Sequence, residues 1–220
     1  MSPNALLGMY EVLVFDLDGT LVDSAHDICR TLSLSLVDCG LPPLVRGERL
    51  ADLFSPLPDI VQSVLTLRGE VTVNAQEVVV AYHRRQQSPA YGASALYPGV
   101  PEFLLACQQR GHRMAVCTNK VQGQALHLLH HFGLLDYFSH VIGGDTAVSA
   151  KPSAAPLLLT LERLAATPAQ ALMFGDTHVD AMCAHQSHVD FVWHRNGYGG
   201  DEVLLHPVAA SFGSFVELHH

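Results

Sequence analysis

Asp16 and Asp18 stand two residues apart at the end of residues 11–16 (EVLVFD), a short apolar run rich in β-branched side chains. In extended backbone alternate side chains share a face, so both acids project to one side, beyond the carboxyl end of any sheet that contains the run. Gly19 follows and brings backbone N–H groups close to an anion with no Cβ in the way, while Thr20 and Leu21 begin the exit from the strand. The chemistry this spacing suits is the handling of a small anion, with a cation to offset the acids. Taken alone, D-x-D-G also describes a strand-ending turn that caps its own backbone.

Further residues turn the pair into a constellation. Thr118 ends residues 113–118 (RMAVCT), Lys151 precedes Pro152 ahead of a helix, and Asp176 and Asp180 bracket a turn that follows the ALMFG run. Each sits where a strand or loop would deliver it to the carboxyl edge of the same sheet. Individually they are ordinary: a strand terminus, a solvated loop lysine, a helix N-cap. Their joint occurrence in this order is not.

Positioning such a set requires a sheet. Apolar runs at 11–16, 113–118, 141–144, 171–176 and 191–193 read as buried strands. Helical stretches separate most of them: 101–110 closed by Gly111, 122–132 closed by Gly133, and 154–164 opening after Ser153 as N-cap. Alternating strands and helices predict an α/β fold, a Rossmann-like doubly wound parallel sheet covered on both faces. Residues 23–96 carry helix signals but little strand signal and read as an insertion. Ser24 caps a helix that stops at Gly40 with Pro42 beyond, Asn74 with Glu77 resembles a capping box, and Ile60, Val61, Val64 and Leu65 form an apolar face. Three or four such helices would pack as a small bundle. The expected organisation is a core of residues 1–22 and 97–220 with a helical cap at 23–96, hinged at 22–24 and at Gly92 with Tyr97-Pro98-Gly99.

Composition narrows the partners. A chain of 220 residues, 49% apolar, buries one sizeable core and a smaller second unit. A formal charge of −9 repels nucleic acid and anionic membrane surfaces, and no basic run with interleaved aromatics appears. A small phosphorylated metabolite remains an admissible partner if a metal cation offsets the local carboxylates. No uncharged apolar run reaches roughly 18 residues and residues 1–10 lack the pattern of a secretory signal, which points to the cytoplasm. Cys29, Cys39, Cys107, Cys117 and Cys183 form no C-x-x-C pair and are odd in number, so they read as reduced, mostly buried thiols. Among fourteen histidines, His127, His130 and His131 share one predicted helix and His185 lies near His188, but no cysteine or acid completes a tetrahedral set around them. His178 falls inside the Asp176–Asp180 turn, at a site mouth or in solvent. A monomer or homodimer is expected, and His219 with His220 reads as a possible tag remnant.

The chain resembles the haloacid dehalogenase superfamily of phosphatases through FDLDGTLVDS at 15–24, Cys117-Thr118-Asn119-Lys120, Lys151-Pro152 and GDTHVD at 175–180. Within it the sequence is most similar to phosphoglycolate phosphatases, on YPGV at 97–100, VIGGD at 141–145, APLLL at 155–159 and Gly197-Tyr198-Gly199. The resemblance spans the core from about Tyr10 to the end. It implies a Mg²⁺ ion held by the Asp16 carboxylate, the Asp18 backbone carbonyl and the Asp176 carboxylate, with Asp180 behind them holding a metal-bound water or Lys151. It also implies that Asp16 attacks phosphorus to give an aspartyl-phosphate, and that Asp18 protonates the leaving alkoxide and later deprotonates the attacking water. Gly19, Thr118 and the Asn119 N–H would bind the phosphoryl group, and Lys151 would oppose its developing charge.

Dehalogenases of this superfamily lack a second acid at the Asp18 position, so dehalogenation is disfavoured. Two alternatives remain open at the level of sequence: a phosphomutase acting on a sugar phosphate, and a non-catalytic binding protein on the same scaffold. The insertion departs most from the family pattern. Where a Gly-rich turn is expected, residues 46–54 contain only Gly47, and Arg46 or Arg49 is a candidate partner for a substrate carboxylate, beside the alternative of a solvated helix. Arg84 and Arg85 are weaker candidates of the same kind.

Overall fold

The computed structural model describes residues 6–45, 55–87 and 91–218. Arg46, Arg49 and Gly47, with His219 and His220, lie outside the described residues. Two compact units emerge: Met1–Asp23 with Ala95–His220, and Ser24–Ser94.

The first unit is built on a six-stranded sheet of β1 (Val12–Phe15), β4 (Arg113–Cys117), β5 (His140–Ile142), β6 (Ala171–Gly175), β7 (Asp190–His194) and β8 (Ala210–Phe212), in the order β5-β4-β1-β6-β7-β8. Every neighbouring pair is parallel. A parallel sheet with helices in its crossovers is covered on both faces, which is why β1 is apolar at four successive positions and buried at all of them. Val12 and Val14 join a core with Ala115, Cys117, Leu157, Leu161, Met173 and Phe191. Phe15 points the other way, stacked on Phe174 at 4.9 Å and edge-on to Phe103 at 6.2 Å.

Five of these strands match the apolar runs within a residue or two. β8 was not anticipated: at three residues it is too short for a periodic signal. The same holds for β2 (Val22–Asp23) and β3 (Ala95–Leu96), an antiparallel pair at the two chain crossings expected as hinges. The helices of this unit are α4 (Val100–Gln109), α5 (Gln122–His131), α6 (Ala155–Arg163) and α7 (His178–Gln186). Ser153 does not take the N-cap position of α6, which falls to Ala154, although its hydroxyl accepts the Ala155 N–H at 3.2 Å.

The second unit is helical, with α1 (Ala25–Asp38), α2 (Leu57–Leu67) and α3 (Ala75–Arg85). Their shared core holds Leu32, Leu36, Ile60, Val61, Val64, Leu65, Val78 and Tyr82, so the apolar face read at 60–65 is buried. Asn74 caps α3 by accepting the Gln76 N–H at 2.8 Å, a single-sided cap in place of the expected reciprocal box. Arg85 forks onto Asp38 at 2.6 and 2.7 Å. No helix among the described residues is long and apolar enough to cross a membrane. All five cysteines are free, three of them buried and Cys29 and Cys39 half-buried.

Candidate active site

Register builds the site. Phe15 pairs with Val116 of β4 on one side and Phe174 of β6 on the other, so the three central strands end level. One step further along stand Asp16, Cys117 and Gly175; another step brings Thr118 and Asp176 to the same edge. This is also where the chain reverses its direction of travel across the sheet, from β4 and β5 on one side of β1 to β6, β7 and β8 on the other. Ligands of open parallel sheets bind at that crevice.

Asp16, Asp176 and Asp180 are all buried, and each offers a carboxylate oxygen within 4.8 Å of the others. Among the described residues this is the one group of three or more potential metal ligands. Lys151 is 2% exposed, and its ammonium donates to Asp16 Oδ1 at 2.6 Å, Asp180 Oδ1 at 2.6 Å and the Cys117 carbonyl at 2.9 Å, which uses all three of its protons. Burial works against that ammonium, but Asp16 and Asp180 outweigh it and hold its pKa well above the ordinary lysine value.

Three carboxylates against one ammonium leave two formal negative charges in a buried space. The acids register the imbalance. Burial, opposed by Lys151 and reinforced by Asp180, pushes Asp16 up to about 7. Burial, with the charges of Asp180 and Asp16, holds Asp176 well above the usual carboxylate range. A divalent cation fits this set on two counts: it supplies the missing charge, and every donor offered is a hard oxygen.

The supports of the cluster are equally specific. Asp176 does not cap α7; Thr177 does, in a box where its N–H and hydroxyl donate to Asp180 Oδ2 at 3.1 and 2.7 Å. Asp176 is instead held by the Thr20 hydroxyl on Oδ1 at 2.9 Å and the Tyr198 N–H on Oδ2 at 2.7 Å, while Trp193 Nε1 donates to its main-chain oxygen at 3.1 Å. Gly19 adopts φ +90°, and a Cβ there would fall 2.3 Å from Asp176 Oδ2. Gly197 closes the other side, where a Cβ would lie 2.2 Å from the Asp176 Cβ. Asn119 clamps the lysine loop from both ends: its Nδ2 donates to the Lys151 carbonyl at 3.0 Å and its Oδ1 accepts the Lys151 N–H at 2.8 Å. The buried Thr118 hydroxyl accepts the Lys120 N–H at 3.2 Å. His178 sits half-buried at the first position of α7, and His127, His130 and His131 are exposed.

Several of these partners went unread in the sequence. In the sequence Lys120 stands out only as the last residue of Cys117-Thr118-Asn119-Lys120, yet its ammonium meets both Asp18 oxygens, at 3.0 Å to Oδ1 and 2.9 Å to Oδ2. Thr20 was read only as the strand exit, and Trp193 as a strand residue. His194, wholly buried at the end of β7, brings Nδ1 within 3.0 Å of the Gly19 carbonyl. The available signal was position: each lies within a few residues of a motif, at the carboxyl end of a strand.

The chain is similar to known proteins over most of its length. Residues 13–194 match the family model of haloacid dehalogenase-like hydrolases. The chain is 34% identical over 212 residues to a phosphoglycolate phosphatase of Rhodobacter capsulatus, covering 96% of this chain and 95% of that one. It is 32% identical over 188 residues to another from Cereibacter sphaeroides, covering 84% and 85%. The crystal structure of a predicted phosphoglycolate phosphatase from Haemophilus somnus superimposes with a TM-score of 0.78 at 25% identity, covering 96% of both chains.

Proposed function

The chain belongs to the haloacid dehalogenase-like hydrolase family, and from that premise we propose that it is a Mg²⁺-dependent cytoplasmic phosphatase acting on a small, phosphoglycolate-like phosphomonoester. The observation that carries this reading is the buried junction of Asp16, Asp176 and Asp180 around a single lysine. Asp16, Asp176 and the backbone carbonyl of Asp18 would hold the ion, with Asp180 behind them. Bound there, Mg²⁺ supplies counter-charge for the carboxylates and for the phosphoryl oxygens.

The steps then fall to the chain's own residues. An Asp16 carboxylate oxygen forms a bond to phosphorus as the ester P–O bond breaks, and the departing alkoxide takes a proton from Asp18. Asp18 next accepts a proton from water, whose oxygen attacks the aspartyl-phosphate and releases inorganic phosphate with Asp16 restored. Lys151, held by Asp180 and the Cys117 carbonyl, stays aimed at the charge that builds on the phosphoryl group. The Thr118 hydroxyl donates to the same oxygens, with the N–H of Asn119 and the backbone about Gly19. The helical insertion, residues 23–96 as delimited from sequence, is proposed to act as a cap that excludes water while the phosphoryl group passes from the ester to Asp16 and admits it once the alcohol has left.

The test is Asp16→Asn. Phosphate release from 2-phosphoglycolate should fall by about 10⁴-fold or more, with circular dichroism unchanged and with wild-type activity abolished by chelator and restored by added Mg²⁺. Substantial turnover by Asp16→Asn, or full wild-type activity in excess chelator, overturns the assignment.

A further inference from the structure

His194 is wholly buried at the end of β7, and the reaction as proposed gives it no task. Its ring stacks on Phe212 at 4.9 Å, meets Tyr97 edge-on at 4.6 Å and stands 5.7 Å from Phe215. A plain aromatic ring would suit those neighbours better, because a polar atom buried without a partner is costly. Nε2 is such an atom: it makes no hydrogen bond among the described residues, and the nearby Gly213 carbonyl already accepts from Asn196 Nδ2 at 2.8 Å. What the imidazole offers over a plain ring is Nδ1, 3.0 Å from the Gly19 carbonyl. A carbonyl only accepts, so Nδ1 carries the hydrogen and donates it.

That bond falls on a joint in the chain. Gly19 has φ +90°, a region that glycine enters freely, so the peptide that follows it is free to rotate unless something holds it. Both neighbours of Gly19 serve the proposed metal site: Asp18 through its main-chain carbonyl, and Thr20 through the hydroxyl that donates to Asp176 Oδ1 at 2.9 Å. The Gly19 N–H donates to the Val22 carbonyl at 2.8 Å, which turns the Asp18 carbonyl, on the other side of the same planar trans peptide, away from Val22. The Gly19 carbonyl is held by His194 and walled by Gly197, where a Cβ would lie 2.5 Å from it. We propose that His194 is a positioning residue for metal binding: by donating to the Gly19 carbonyl it locks the peptide between Gly19 and Thr20, and so sets both the Asp18 carbonyl before it and the Thr20 hydroxyl that orients Asp176. The inference rests on the phosphatase reading above, with its ion at Asp16, Asp18 and Asp176, and adds the group that fixes the shape of that site.

The experiment compares Mg²⁺ dissociation constants of wild type and three variants, read from the rise of each protein's melting temperature with Mg²⁺ concentration. His194→Phe keeps the stacked ring and removes the donor. His194→Asn gives up the ring and keeps an N–H close to the position of Nδ1, whereas His194→Gln offers its N–H near the position of Nε2. A positioning role predicts that His194→Phe and His194→Gln weaken Mg²⁺ binding by about 10- to 100-fold and that His194→Asn recovers most of the loss. A histidine that only fills the core predicts the reverse order, with His194→Phe closest to wild type and His194→Asn furthest from it. Wild-type Mg²⁺ affinity in His194→Phe, or weaker binding in His194→Asn than in His194→Phe, overturns the proposal. In that event Mg²⁺-dependent release of phosphate from 2-phosphoglycolate by the wild type still stands, and the phosphatase reading survives. If His194→Phe does not fold, the other two variants decide: tighter binding in His194→Asn than in His194→Gln supports the proposal, and equal or weaker binding overturns it. A wild type whose melting temperature does not respond to Mg²⁺ overturns both readings.

Discussion

Asp176 illustrates how much of a buried acid's setting lies in neighbours that carry no charge. A side-chain hydroxyl and a backbone N–H hold its two oxygens, and an indole N–H holds its main-chain carbonyl. Two glycines make room for it. Asp16, Thr118 and Asp176 are legible in the sequence because polar residues at the ends of apolar strands are conspicuous, and Lys151 and Asp180, in a loop and in α7, through the motifs they belong to. The supports were not, because Gly197, Trp193 and the Tyr198 N–H act through absence of a side chain, through one indole proton and through the backbone, none of which spacing reports. Gly197→Ala tests this level. Its Cβ would stand 2.2 Å from the Asp176 Cβ and 2.5 Å from the Gly19 carbonyl oxygen, so Asp176 or the Gly19 turn must shift. Mg²⁺ affinity should fall by about 10- to 100-fold, the usual effect of disturbing a ligand's supports, as read by titrating the fluorescence of Trp193, the only tryptophan in the chain. Unaltered affinity would mean that the turn accommodates a methyl group without consequence.

At the scale of elements, the four helices whose ends the sequence marks, α1, α4, α5 and α6, fall within a residue or two of those marks, and the strands follow their apolar runs; the differences cluster at ends and at very short pieces. β2, β3 and β8 have two or three residues each, below the length at which alternation can be told from chance. The helical unit contains a further tie of the same invisible kind. Asp27, in the first turn of α1, turns one oxygen toward residues at the far end of the unit, accepting the Ala93 N–H at 3.1 Å, the Ser94 N–H at 2.7 Å and the Ser94 hydroxyl at 2.6 Å. A single carboxylate thus closes a segment of some seventy residues, and a separation of 66 positions hides such a contact from any local reading. Asp27→Ala should leave two backbone donors without that acceptor and cost about 1–3 kcal/mol of the unit's stability. Amide hydrogen exchange at Ala93 and Ser94 should accelerate accordingly. Exchange at the wild-type rate would show that the tie carries no stability.

Over the whole molecule, the sheet order collects acids from β1 and β6 at one crevice, and the cost of gathering like charges is visible in their proton affinities. Asp16 rises from an ordinary carboxylate value to about 7, and Asp176 rises well above the usual range, in each case first because burial disfavours the charged form. The folded metal-free protein therefore binds protons at these sites more tightly than the unfolded chain. Their contribution to stability is full below the unfolded value near 4 and declines as pH rises through about 7. His194 works in the opposite sense: burial lowers its pKa, so its contribution is present above about 6.5 and is lost on acidification. The histidine effect fades about a unit above 6.5, as does that of His112, which burial also lowers, so from there to pH 8 the raised carboxylates set the slope. In chelator, the melting temperature should fall across that interval. Mg²⁺ bound as proposed by the ionised carboxylates would stabilise the fold by mass action, by about 2.7 kcal/mol at a concentration 100 times its Kd. The gain must be larger at pH 8, where fewer protons have to be displaced, than at pH 6. Trp193 fluorescence follows unfolding of the α/β unit specifically, since the helical unit contains no tryptophan. A Mg²⁺-induced rise in melting temperature that is the same at pH 6 and pH 8 would separate metal binding from these acids, and with it the reason for bringing them together.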